Sequence, residues 1–279
     1  MRKRVLKIIA FITAVLLIAF VCFFANSLVG NPISRSIATK TAQRHLNENY
    51  SDTDFVVENV TYSFKDGYYY AGISSPTSID SSFSLVIRYD GELVRDYYED
   101  YVLSGMNTAN RIWLEYKNAV DAVFNSQLFP YNEHIGYGDI KFVSREYLDD
   151  QSVPANSIIM EDLVLDEFYD VNELGAKSGS LTVYLYDNIV SYERLAEIIL
   201  DVKQIFDNAG VKFYSLDFVL EYPKLEDHSQ KDGRVEVMNF LYSDIYEDGM
   251  VERVKASDEA AKAYYAEQDA NNLKEAEVK

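Results

Sequence analysis

The chain has 279 residues, of which 48% are hydrophobic and 14% aromatic, so it can bury a core and is not a disordered polypeptide. Its 45 acidic and 26 basic residues give a formal net charge of −19. Nucleic-acid binding needs a basic surface, so this charge argues against a nucleic-acid partner. The single cysteine, Cys22, excludes an internal disulfide.

The N-terminus combines a basic start with an apolar run over residues 8–25. The basic residues are Arg2, Lys3, Arg4 and Lys7. A helix of the run's length spans about 27 Å, close to the thickness of a bilayer's hydrocarbon core. Residues 1–30 therefore predict a single-pass anchor in the cell membrane, with the N-terminus cytoplasmic and the bulk of the chain extracytoplasmic. Cleavage as a signal peptide near Asn26 remains the alternative.

Residues 31–127 predict an α+β domain. An amphipathic helix follows Asn31-Pro32, because apolar or small residues recur there every four positions. Asp66-Gly67 and Asp90-Gly91 are turn signals between runs rich in β-branched and aromatic residues, so two hairpins are expected. A second helix is expected to start at the capping residue Thr108. Together these elements predict helix, four-strand antiparallel meander, helix.

Residues 128–138 contain Pro130, Gly136 and Gly138 and predict a linker. Residues 139–256 predict a C-terminal α/β domain with an acidic helix over residues 157–174. A helix between two strands, residues 181–186 and 213–222, indicates a crossover unit.

Residues 257–279 are rich in Ala, Glu, Lys and Asn and predict a solvated terminal helix or tail. The expected fold class is thus α+β, an N-terminal transmembrane helix followed by two small helix-plus-antiparallel-sheet domains.

Several short segments after the apolar run suggest a family. They are Asn31-Pro32, Val60-Thr61-Tyr62-Ser63-Phe64-Lys65, Ser75-Pro76 followed by Asp80-Ser81-Ser82-Phe83, and Asn107-Thr108-Ala109-Asn110-Arg111. In these segments the chain resembles the uncharacterised YfjL-like membrane proteins of Gram-positive bacteria, whose N-terminal domain is similar to PepSY-like modules. The resemblance implies an exposed, extracytoplasmic domain pair that binds or inhibits proteins. It assigns no activity and no catalytic residue.

Catalytic motifs are absent from the sequence. It contains no zinc-protease His-Glu-x-x-His, no Gly-x-Ser-x-Gly nucleophile turn and no phosphate-binding glycine loop. The histidines, His45, His134 and His228, are far apart, so a zinc site would need carboxylates as further ligands. We therefore predict neither an enzyme nor a cofactor.

Acidic residues are plentiful between Glu161 and Asp170. On the helix expected there, Asp162, Asp166 and Asp170 recur every four residues and would share one face. Carboxylates are the usual ligands of hard cations, so these three are weak metal candidates. A solvated acidic face is the other interpretation.

Two segments are candidate binding surfaces. Tyr68, Tyr69 and Tyr70 fall in a predicted strand, where alternation places Tyr69 on the face opposite the other two. Exposed tyrosines are common in binding surfaces. Asn107 and Arg111 lie near a predicted helix start, where a structural role is the alternative.

The sequence as a whole predicts a membrane-anchored protein-interaction or regulatory module with an extracytoplasmic protein partner. Two alternatives remain open. One is a cell-wall-modifying hydrolase that uses carboxylates, and the other is a divalent-cation sensor.

Overall fold

The computed structural model describes residues 2–131, 134–150, 152–224 and 231–277. The chain forms two compact units. The first unit comprises Met1–Thr108 and Leu163–Glu167, and the second comprises Ala109–Asp162 and Phe168–Lys279. The sequence had placed the boundary at residues 128–138, whereas the units divide within a helix.

Helix α1, Arg2–Val29, contains the apolar run. Its window Arg4–Val21 has a mean hydropathy of 2.4 and no part buried inside the protein, so this helix is long and apolar enough to cross a membrane. Helix α2, Pro32–Asn49, follows directly. The side chain of Asn31 caps it by accepting a hydrogen bond from the Ile33 backbone N–H at 2.7 Å.

The first unit contains the predicted antiparallel meander. Its strands are β1, Val56–Tyr62; β2, Tyr69–Ser74; β3, Ser82–Ile87; and β4, Leu93–Asp96, and they lie side by side in chain order. Helix α2 buries Ala38, Ala42 and Leu46 against β2 and β3. A π-helical turn that the sequence did not indicate, Glu99–Leu103, follows β4.

Helix α3, Met106–Phe124, begins two residues before the predicted cap and runs into the second unit. There the ring of Phe124 lies 5.2 Å from that of Phe206. The buried Tyr116 donates a hydrogen bond to the Lys212 carbonyl at 3.0 Å. These contacts make most of α3 part of the second core.

The second unit is built on a mixed sheet of order β10-β9-β8-β5. Its strands are β5, His134–Ile140; β8, Gly179–Tyr186; β9, Ser215–Glu221; and β10, Arg234–Leu241. Strands β8 and β9 are parallel, and α5, Tyr192–Ala209, connects them as the predicted crossover. The expectation of a wholly antiparallel sheet was therefore wrong for this pair. Strands β6, Phe142–Val143, and β7, Ile158–Ile159, form a separate parallel pair.

Strand β5 occupies part of the predicted linker, a correction explained by two glycines. A Cβ atom on Gly138 would lie 2.5 Å from Val120, and one on Gly136 would lie 2.9 Å from Phe124. Both neighbours belong to α3. The glycines therefore allow the helix to approach the strand closely. Composition alone does not distinguish a glycine with this role from a glycine in a loop.

The acidic helix predicted over residues 157–174 is also wrong. This stretch contains β7, a 3-10 turn at Met160–Asp162 and a loop in which Asp166 has a left-handed backbone with φ of 61°. Helix α4, Val171–Ser178, begins only after Asp170, whose carboxylate accepts from the Asn172 N–H at 2.8 Å. Aspartate favours caps and turns because its side chain competes for backbone donors.

Helix α6, Met250–Glu277, contains the helical alternative of the solvated terminal helix or tail predicted from residue 257, but its first turns there are partly buried. Its Val254, Asp258 and Ala261 are buried, and it packs on β10 and α5. Asp258 Oδ1 accepts a hydrogen bond from the Glu236 backbone N–H of β10 at 3.0 Å. Up to Ala261 one side of the helix is buried, and over residues 262–270 every residue is exposed.

Candidate functional site

The second sheet has one face against α3 and an opposite, outer face. Leu181, Val183 and Leu185 of β8 are buried toward α3, so alternation directs Thr182 and Tyr184 outward. Helix α6 packs on β10, where Glu236 is buried and its backbone N–H bonds to Asp258. At β5 and β8, large side chains of the outer face stay exposed within the part of the chain that the structure describes; these exposed side chains are called the open face below.

Three large side chains form this open face, namely Ile135, Tyr137 and Tyr184. They are 59%, 44% and 41% exposed, respectively. Ile135 is the register partner of Tyr184 and Tyr137 that of Thr182, so the three lie in adjacent rows. Among the described residues, β5 pairs with β8 and with no other strand, which makes it an edge strand.

A polar cleft of about 480 Å³ lies at the end of the second sheet where β8 and β9 begin. Its lining residues are Lys141, Ser152, Val153, Pro154, Ala155, Asn156, Ser178, Ser180, Tyr214, Ser215, Asp217, Met238 and Asn239. Ser180 is the register partner of Asp139, next in line after the Tyr137 row. The cleft therefore continues the open face along β5 and β8.

Two serines of the cleft have unused hydrogen-bonding groups. Ser178 and Ser215 are only 5% and 6% exposed. Within the described residues, neither hydroxyl has a hydrogen-bond partner, and neither oxygen is among the fully enclosed atoms that lack one. Both residues line the cleft. Since neither oxygen is fully enclosed and neither has a protein partner, water or a ligand in the cleft can bond to the two serines.

The backbone of β10 is irregular beside these serines. The pairing of β10 with β9 shifts between Val237 and Phe240, and Asn239 there has a left-handed φ of 47°. The Asn239 N–H donates to Asp217 Oδ1 at 2.6 Å and so fixes this bulge. Bulges reorient side chains at functional sites, and this one directs Asn239 into the cleft.

The charges at the cleft are already paired. Lys141 forms an ion pair with Asp139, whose other oxygen accepts a hydrogen bond from the Trp113 indole at 2.9 Å. Asp217 accepts from Asn239. The cleft thus combines one paired lysine, one hydrogen-bonded aspartate and several neutral hydroxyl and amide groups.

The predicted tyrosine candidates lie in the first unit. Tyr69 is buried, and its hydroxyl accepts from the Asn31 N–H at 2.7 Å, so it secures the start of α2. Tyr68 and Tyr70 are half-buried on the other face, as alternation requires. The Tyr70 hydroxyl donates to Asp66 at 2.6 Å, and this hydrogen bond raises the pKa of Tyr70 to about 12.

Asn107 and Arg111 do not share one environment. The Asn107 amide donates to the carbonyls of Asp80 and Ser82 at 2.7 and 2.6 Å, which ties the start of α3 to the loop before β3. Arg111 lies within 3.4 Å of the Glu115 carboxylate on the same helix. Both arrangements fit the structural alternative considered for these residues.

The three metal candidates are dispersed and engaged with protein groups. Asp162 pairs with Arg145, and Asp170 caps α4. Asp166 accepts from the Ser78 hydroxyl at 2.8 Å and from the Asp80 N–H at 3.0 Å. The described part of the chain contains no group of three or more metal-binding side chains.

His45 belongs to a hydrogen-bonded cluster in the first unit. Its Nδ1 accepts from the Asn49 amide at 3.0 Å, so its Nε2 donates to Asp96 at 2.7 Å. Tyr50 donates to the same Asp96 oxygen at 2.8 Å, and burial with this contact raises the pKa of Tyr50. His134 begins β5, and His228 lies outside the described residues.

Comparisons with known proteins identify the family. The YfjL-like N-terminal domain matches residues 5–96, and the YfjL-like C-terminal domain matches residues 115–255. A crystal structure of a DUF5037 family protein from Ruminococcus gnavus ATCC 29149 is 15% identical, covers 66% of this chain and 74% of its own, and superposes with a TM-score of 0.22. No curated protein matches the chain. On the two domain matches, the chain belongs to the YfjL-like family, as its sequence segments indicated.

Proposed function

We propose that this protein is a membrane-anchored, extracytoplasmic module that binds a partner protein through the open face of its second sheet. In this proposal α1 is a single-pass anchor with a cytoplasmic N-terminus. Support comes from the apolar window Arg4–Val21 and from the basic residues around its start.

The observation that carries the proposal is the exposed row of Ile135, Tyr137 and Tyr184 beside an edge strand. Aromatic side chains supply much of the energy of protein interfaces because they bury large areas at low entropic cost. The backbone groups on the outer side of β5 accept an added strand. A partner with an extended segment fits both the edge strand and the exposed side chains, since its backbone pairs with β5 and its side chains contact the tyrosines.

The nearby hydroxyl groups favour binding over catalysis. A serine nucleophile needs an adjacent base that takes its proton. Within the described residues, Ser178 and Ser215 have no such partner, and the neighbouring Lys141 is held by Asp139. The cleft thus offers groups that recognise a ligand without a group that activates one.

Site-specific photocrosslinking tests the proposal. A photoreactive amino acid replaces Tyr137 in the full-length protein in its native membrane, and the control carries it at Glu259, an exposed position of α6. We expect a discrete adduct with one protein from position 137 and none from position 259. Its yield should fall when Tyr184→Ala is added. The same adducts from both positions, or abundant bystanders alone, would overturn the proposal.

A further inference from the structure

We infer that the polar cleft of the second unit binds an uncharged, hydroxyl-rich ligand of the saccharide class. This site uses residues distinct from the open face and so goes beyond the proposed interaction with a protein. Its defining feature is the pair of hydroxyls of Ser178 and Ser215, which line the cleft without partners among the described residues.

The serines favour a ligand that both donates and accepts hydrogen bonds. A serine hydroxyl offers one donor and two acceptor positions. Ser178 and Ser215 are 5% and 6% exposed as residues, yet their hydroxyl oxygens are not fully enclosed, so both remain available to a ligand in the cleft. Sugar hydroxyls have the same dual capacity, so a sugar in the cleft matches the hydrogen-bonding capacity of these two residues.

The remaining lining matches the other surfaces of a sugar. The amides of Asn156 and Asn239 add donors and acceptors, while Val153, Pro154 and Met238 add apolar surface. Sugars likewise present polar hydroxyls around apolar C–H faces. The volume of about 480 Å³ falls in the usual range of small-molecule sites.

The charge pattern disfavours strongly ionic ligands relative to neutral ones. Lys141 is paired with Asp139, and Asp217 is bound by the Asn239 N–H. An anion would have to compete for Lys141 and would also meet Asp217. A cation would find Asp217 partly satisfied and Lys141 nearby. A neutral ligand neither breaks the Lys141–Asp139 ion pair nor brings a charge close to one of the same sign.

Calorimetric titration of the full-length protein in nanodiscs tests the inference with matched trisaccharides. The neutral probe is the N-acetylglucosamine trimer, and the charged probes are its de-N-acetylated cationic counterpart and trigalacturonate. We expect the neutral trimer to bind at millimolar concentration or below, and the charged probes to bind at least tenfold more weakly. Lack of binding by the neutral trimer, or equal binding of a charged probe, would overturn the inference.

Serine variants locate the site. Ser178→Ala and Ser215→Ala should each weaken the neutral trimer about fivefold, because each removes one hydrogen bond to the ligand. Ser126→Ala is the control, since its hydroxyl already bonds the Val123 carbonyl at 2.8 Å. Removing an unpartnered hydroxyl should leave the melting temperature of the free protein unchanged or slightly raised. Unchanged affinity in both cleft variants would contradict the assignment, whatever the crosslinking experiment shows.

Discussion

Replacing Asp258 by alanine should loosen the packing of α6 on the second sheet. Asp258 is 0% exposed and accepts hydrogen bonds from the Glu236 N–H at 3.0 Å and the Tyr192 hydroxyl at 3.1 Å. Leaving that buried N–H unpaired costs about 1–3 kcal/mol, and the lost tyrosine hydrogen bond about 1 kcal/mol. The paired Lys262 side chain is 58% exposed, so its ion pair adds at most about 1 kcal/mol.

The expected loss in the free energy of unfolding for Asp258→Ala is therefore about 2–5 kcal/mol. For a chain of this size, that lowers the melting temperature by roughly 4–20 °C. Thermal unfolding of the full-length protein in detergent measures it, with hydrogen exchange of α6 as a local readout. The neighbouring Glu259→Ala is the matched control, because Glu259 is 63% exposed and should change stability by less than about 0.5 kcal/mol. Equal effects of the two variants would refute the packing described for α6.

Three further variants probe other parts of the fold. Gly138→Ala should lower the free energy of unfolding by about 1–3 kcal/mol, because its Cβ would lie 2.5 Å from Val120. A Cβ at Gly210 would have nothing within 4 Å, so Gly210→Ala should cost only the backbone strain of its positive φ. Urea unfolding compares the two variants. Asp170→Ala should lose about 1 kcal/mol of cap energy, measured likewise. Hydrogen bonds from Ser75 and from Thr77 lower the pKa of Asp54. The stability that they contribute is therefore present above pH 3.8 and is lost as the pH falls through the lowered pKa. Melting curves at acidic pH should show a smaller fall of the melting temperature with pH in Asp54→Asn than in the unchanged protein.

The first unit was predictable because its signals are local. Asp66-Gly67 and Asp90-Gly91 mark turns by backbone chemistry alone, and both glycines have the expected positive φ. Alternation then assigned Tyr69 to the face opposite Tyr70. What alternation did not show was which face would be core, since that depends on where α2 packs.

The second unit was harder because its departures are tertiary. Gly136 and Gly138 resemble linker residues until α3 is placed against them. The spacing of Asp162, Asp166 and Asp170 suits a helix, yet Asp166 belongs to the first unit, where it accepts a hydrogen bond from Ser78, and Asp170 forms a cap. Each aspartate gains more from a turn or a cap than from the helix.

No pattern in the sequence predicts the cleft. Ser178 and Ser215 are ordinary hydroxyl residues near the beginnings of β8 and β9, and only the parallel pairing of these strands brings their ends together. Asn239 could have been suspected, because asparagine tolerates a left-handed backbone better than most residues. Its role at a bulge depends on Asp217 of the adjacent strand.

The most direct test of the central claim compares photoreactive probes at Tyr137 and at Tyr68 in the same full-length, membrane-embedded protein. The open face of the second sheet predicts a single, saturable adduct from position 137 and little from position 68, which is half-buried in the first unit. A specific adduct from position 68 with none from position 137 would contradict the assignment of the binding surface to the second unit.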